Sequence, residues 1–241
     1  MKQLFAMLVL FSLVAGVVTG CGSSSNSTQS TANTQATGVS GVVYIQQGPV
    51  EGAMVTVKTY DGQVLGMAIT DANGIYTIPT SVPGPYIAQA TESKGGRSWY
   101  GISQNERMNI THLSDFMIHL WYEAYSLNVS DVFSSLNSSS NIPDEAGIDL
   151  AIDQIAAHFM SILGLENLDI NQDELTPTIK KVLQATAVSG HTVTVKLNDP
   201  FVDLSATISA NINSAGDVVF TGQQIFNTAS VVVSNSLAMA S

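Results

Sequence analysis

Cysteine occurs once in the 241 residues, at position 21. A lone thiol excludes an internal disulfide, a thiolate zinc cluster and a C-x-x-C-H haem attachment. Charge is scarce too: 11% of residues are Asp, Glu, Lys or Arg against 45% apolar, so Ser, Thr, Asn and Gln must cover most of the surface. The same apolar share rules out wholesale disorder. Basic residues are scarcest, with 8 Lys and Arg facing 19 Asp and Glu, for a formal net charge of −11 and a pI near 4.4. Such a chain is a poor partner for nucleic acid or for an anionic lipid surface. No G-x-S-x-G elbow, P-loop, G-x-G-x-x-G or H-E-x-x-H is present, so hydrolase and nucleotide-binding readings lose their usual support and no cofactor is implied.

Long apolar runs are missing as well. Leu4 to Val18, after the charged Lys2, falls short of the ~20 residues a membrane-spanning helix needs and has the length of a signal-peptide core. It ends in Val18-Thr19-Gly20-Cys21, which resembles the lipobox of bacterial lipoproteins; the chain's one cysteine stands where that family is cleaved and acylated. The resemblance implies a signal peptide over 1–20 and Cys21 as the lipidated mature N-terminus, with Lys2 removed and the mature charge at −12. Acyl chains contribute about 0.8 kcal/mol per buried CH₂, so a multiply acylated cysteine is a stable membrane anchor. Gly22 rather than Asp after the cysteine resembles the outer-membrane-sorted pattern. Residues 21–38 are then almost entirely Ser, Thr, Asn, Gln, Gly and Ala, a composition that predicts a flexible tether.

From residue 39 to residue 100 short apolar alternations are broken by turn residues. The pattern predicts strands at Gly41 to Ile45, Met54 to Tyr60, Val64 to Thr70, Ile75 to Ile78 and Tyr86 to Thr91, with Asp61-Gly62 and Asp71-Ala72-Asn73-Gly74 as turns. Strands at this spacing indicate an all-β sandwich. Ser98-Trp99-Tyr100 is apolar enough to add a further strand, and so short a sandwich needs Trp99, Tyr100 and the helix that follows to complete its core.

Three runs carry a family resemblance: Ser40-Gly41-Val42-Val43, Val50-Glu51-Gly52-Ala53-Met54-Val55-Thr56-Val57, and Thr70-Asp71-Ala72-Asn73-Gly74-Ile75-Tyr76-Thr77-Ile78. Together they resemble the carboxypeptidase regulatory-like domain over about 55 to 60 residues, the T-D-x-x-G-x-Y turn being the most specific part. The resemblance implies a transthyretin-like or Ig-like β-sandwich that does no chemistry itself and serves as a spacer or binding platform. Asp71 and Asn73 could supply oxygen ligands to a cation, but both residues also suit turns by bonding their own backbone.

Residues 101–241 read as an α+β domain. Thr111 is a credible N-cap for a helix whose Leu113, Phe116, Met117, Leu120, Trp121 and Ala124 form one amphipathic stripe. Ser134 to Asn141 is a polar loop, Pro143 starts a second helix with Ile148, Ile152, Ile155, Phe159 and Ile162 on one face, and Thr176-Pro177 caps a shorter helix carrying Ile179, Val182 and Leu183. The tail alternates through Val193, Val195 and Leu197, then Val202 to Ile212, then Val218 to Phe226, the signature of an antiparallel meander with one apolar face packed on helices.

Two constellations could carry chemistry. On the Thr111 helix, His112, Asp115, His119 and Glu123 fall within about 80° of one another, a stripe of metal-ligating types. His112 and Glu123 are roughly 16 Å apart along the axis, so at most two or three neighbours could share one ion, and a solvated polar face accounts for the same residues. Asp169, Asn171 and Asp173 imitate the start of a calcium loop, but Glu174 stands where the turn glycine belongs and Lys180 where the bidentate glutamate belongs.

The sequence therefore predicts a non-catalytic, lipid-anchored envelope protein, held in the membrane by an acylated Cys21 and displaying a module for a carbohydrate or protein partner. The rival is a metal-dependent enzyme or metal-binding module on the His112 to Glu123 stripe. A third class is an accessory factor for envelope assembly or secretion.

Overall fold

The computed structural model describes residues 38–136, 174–199, 202–214, 218–226 and 229–237. Cys21, the Pro143 helix with its apolar stripe, and the Asp169, Asn171 and Asp173 triplet lie outside the described residues. Two sheets form the sandwich. Sheet I is built on β1 (Gly38–Ile45), which pairs antiparallel with β2 (Gly48–Pro49) and β5 (Ile75–Pro79) and parallel with β8 (Ile110–Thr111). Sheet II runs β4-β3-β6-β7, all antiparallel: β4 (Val64–Ile69), β3 (Met54–Thr59), β6 (Tyr86–Thr91) and β7 (Ser98–Ser103).

Period-2 alternation decides which side chains fill the space between the sheets. Val39 and Val43 of β1, Val55 and Val57 of β3, Tyr76 and Ile78 of β5 and Ala88 and Ala90 of β6 meet there, closed by Met108 and Ile110. The T-D-x-x-G-x-Y turn has a physical basis. Asp71 Oδ1 accepts the backbone N–H groups of Asn73 and Ile75, both at 2.8 Å. Gly74 takes φ +75°, and a Cβ there would lie 2.4 Å from the Val43 carbonyl oxygen, so only glycine fits. Tyr76 then sends its hydroxyl through the core to the Met108 carbonyl at 2.6 Å.

Sheet II is buried on both faces along β6 and β7, while the edge strand β4 leaves Val64, Met67 and Ile69 exposed. Tyr60, Ile87, Tyr100 and Ile102 point away from the sandwich into a second core with α1 (His112–Ala124), α2 (Val129–Ser135) and α3 (Pro177–Ala185). Thr111 caps α1 as expected: its hydroxyl accepts the Ser114 N–H at 3.0 Å, and the Ser114 hydroxyl accepts the Thr111 N–H at 2.8 Å. Thr176 caps α3 with Pro177 in its first turn. The far wall is sheet III, an antiparallel meander of β9 (Thr186–Ser189), β10 (Thr192–Asp199), β11 (Val202–Ile212), β12 (Val218–Phe226) and β13 (Ala229–Leu237). Val193, Val195, Ala206, Ile208 and Ala210 face the helices.

The described part of Ala36–Ser241 forms one compact unit. A division between residues 39–100 and 101–241 cuts β7, whose alternation continues past Tyr100 through Ile102, and β8 then returns to sheet I. The described residues are mainly antiparallel β-sheet with few helices, so an α+β reading of the second half is met only in part. α1 is also apolar more widely than one stripe, with Ile118 and Tyr122 buried as well, because it is packed between sheets II and III. Ser134 and Ser135, expected in a loop, end α2, a helix anchored by Val129 and Phe133 and capped by Asn128. Lys58 reaches the same region, donating to the Phe133 carbonyl at 2.6 Å with its ammonium 4.5 Å from the Phe133 ring centre.

Candidate functional site

Where sheet I, sheet II, α1 and sheet III meet, a cleft of about 280 Å³ opens to solvent. Ile45, Gln46 and Gln47 enter it from the end of β1 and the turn to β2, Arg97 from the loop just before β7, Trp99 from β7, His112 and Asp115 from the first turn of α1, and Val188 from β9. Gly48, at φ +113°, closes the turn that presents the two glutamines.

Two of these side chains are fixed by backbone contacts. Asp115 Oδ1 accepts the Tyr100 N–H at 2.9 Å, which locks the carboxylate against sheet II. His112 Nε2–H donates to the Thr186 carbonyl at 3.1 Å, tying α1 to β9. Burial lowers His112 to about 4, with the Thr186 and Tyr44 carbonyls offsetting only part of the shift, so the ring is neutral near pH 7. Arg97 differs: among the described residues its guanidinium has no hydrogen-bond or ion-pair partner.

The predicted metal stripe does not converge. His112 is turned under β9, Asp115 is held by β7, and His119 approaches Asp115 Oδ1 at 3.4 Å while meeting the Tyr100 ring edge-on at 5.7 Å. The Asp115 hydrogen bond holds His119 above its ordinary value, against partial desolvation. Glu123 pairs instead with His191 Nε2 at 2.8 Å, from the tight turn between β9 and β10. Among the described residues no three His, Cys, Asp or Glu side chains gather as a metal site. The stripe is split because sheet III covers one end of it and supplies its own histidine at the other, contacts that helical spacing alone cannot show.

Sequence reasoning placed His112 and Asp115 but passed over Arg97, Gln46, Gln47 and Trp99. One signal was available: Arg97 is one of only two arginines in the chain.

No protein-family model matches the chain, and no curated protein matches it. Among solved structures, 5-hydroxyisourate hydrolase from Klebsiella pneumoniae is similar at 18% identity and a TM-score of 0.24, over 31% of this chain and 86% of that one. A likeness of that size carries no argument about activity. Among the described residues no helix is long and apolar enough to cross a membrane.

Proposed function

We propose that this chain is a non-catalytic bacterial lipoprotein, anchored through Cys21 in the outer membrane, whose carboxypeptidase regulatory-like, transthyretin-like sandwich and helix-backed meander together hold a ligand-binding cleft. The observation that carries the reading is the cleft itself. Side chains from four separate parts of the fold converge there, Asp115 and His112 are oriented by backbone contacts, and Arg97 has no partner among the described residues. Preorganised polar groups beside an unpaired charge are what a binding site for a polar ligand requires. Both histidine–carboxylate pairs, His119 with Asp115 and His191 with Glu123, lack a serine or cysteine bonded to the histidine among the described residues, which favours binding over nucleophilic catalysis.

The test uses the full chain in detergent micelles. Envelope extract is separated into small-molecule, polysaccharide and protein fractions, and the melting temperature is measured with each. A rise with one fraction that is lost in Arg97→Gln supports the reading, and no rise with any fraction contradicts it. The anchor is tested by fractionating cells: Cys21→Ala is expected to leave the membrane fraction, and persistence of that variant in washed membranes contradicts acylation as the attachment.

A further inference from the structure

We infer that the cleft is a site for a zwitterionic α-amino acid, with Arg97 receiving the carboxylate and Asp115 the ammonium group. The inference rests on the reading of the cleft as a binding site and names its ligand class. Arg97 and Asp115 line one cleft with opposite unit charges, yet they form no ion pair with each other; the side chain beside the carboxylate is the His119 ring, at 3.4 Å from Oδ1. Asp115 spends Oδ1 on the Tyr100 N–H and on His119, and Oδ2 accepts no hydrogen bond among the described residues. One acceptor oxygen is therefore oriented and unused.

Charge balance selects the ligand class. A simple anion drawn to the guanidinium meets the Asp115 carboxylate, and a simple cation drawn to Asp115 meets Arg97; like charges brought together at a recognition site are costly. A molecule carrying both charges satisfies both groups at once. The planar guanidinium fork matches a carboxylate in two parallel hydrogen bonds. His112 is neutral and engaged with Thr186, and His119 approaches the already bonded Oδ1, so neither ring takes the Oδ2 left for the ligand's ammonium group. Ile45, Trp99 and Val188 offer apolar wall to an aliphatic side chain, and Gln46 and Gln47 offer amide donors and acceptors. At about 280 Å³ the cleft lies at the lower end of small-molecule sites, the size for one amino acid rather than a polymer segment.

The experiment titrates the full chain in micelles with L-alanine, L-serine, L-glutamate and L-lysine in turn by calorimetry, then repeats the binder as its N-acetyl and carboxamide derivatives, with glucose alongside. At least one amino acid is expected to bind saturably, and each derivative at least about tenfold more weakly. Arg97→Gln is expected to weaken the amino acid about tenfold without further weakening the carboxamide, and Asp115→Asn to do the same without further weakening the N-acetyl form. Asn keeps an oxygen for the Tyr100 N–H, and an unchanged circular dichroism spectrum confirms that each variant is folded. No binding by any of the four amino acids, derivatives that bind as well as the parent, or glucose binding in their place overturns the inference. If a small-molecule envelope fraction still raises the melting temperature in that case, the cleft remains a binding site and only the ligand class is wrong.

Discussion

Ile87 and Ile118 stand on either side of residue 100, one on β6 and one on α1, and both are fully buried in the core that sheet II shares with the helices. If that core is common property, truncating either residue must weaken the same cooperative transition. Isoleucine to alanine in a core costs about 2–5 kcal/mol, from lost transfer energy and the cavity left behind. For a folded unit of this size each kcal/mol lowers the melting temperature by roughly 2–4 °C, so a fall on the order of 4–20 °C is expected for Ile87→Ala and for Ile118→Ala. The assay is thermal unfolding followed by circular dichroism, with calorimetry to count transitions. One transition that moves in both variants is expected. Two transitions, of which Ile87→Ala moves only one and Ile118→Ala only the other, would refute the shared core and make the sandwich an independent bead.

His112 gives a pH signature: its folded value of about 4 lies below the ordinary 6.5, so between those values the unfolded chain binds a proton that the folded chain does not, and stability falls as pH drops from about 6.5 to 4. The difference between wild type and His112→Gln, measured by denaturant unfolding across that range, is expected to change by on the order of 3 kcal/mol, and parallel profiles would contradict burial of the neutral ring. His119 has the opposite sign, so the stability it draws from Asp115 is present at low pH and lost as pH rises through its raised value, a trend that His119→Gln should remove. Gly74→Ala, with a positive φ and a Cβ driven against the Val43 carbonyl, is expected to cost more than about 1 kcal/mol in the same assay; an unchanged midpoint would contradict the turn geometry.

Much of the fold was legible because local periodicity coincides with burial. Val55 and Val57, Tyr76 and Ile78, and Val193 and Val195 alternate as sandwich and meander strands must, and Thr111 and Thr176 cap helices in the way their side chains allow. What could not be read was tertiary. β8 is two residues long and owes its existence to the neighbouring β1, not to its own pattern. α2 is held by Val129 and Phe133, too few apolar positions to register as a stripe. The cleft is the clearest case: Gln47, Arg97, Asp115 and Val188 are far apart in sequence, and nothing in their spacing shows that they meet. His112 looked like a surface ligand because its helical phase is polar, and only the approach of β9 turns it into a buried neutral ring.

The most direct test of the account is whether the cleft wall senses a ligand. Trp99 lines the cleft, and the chain's other tryptophan, Trp121, is buried in the helix-side core with its indole nitrogen making no hydrogen bond among the described residues. Trp121→Phe therefore leaves Trp99 as the single reporter without stranding a polar partner. Fluorescence of that variant, full length and in micelles, is recorded while the small-molecule, polysaccharide and protein fractions of envelope extract are added in turn. The account predicts a saturable change in Trp99 emission that disappears when Arg97→Gln is added to the variant. Emission that does not change with extract, or that changes equally with and without Arg97, would contradict it.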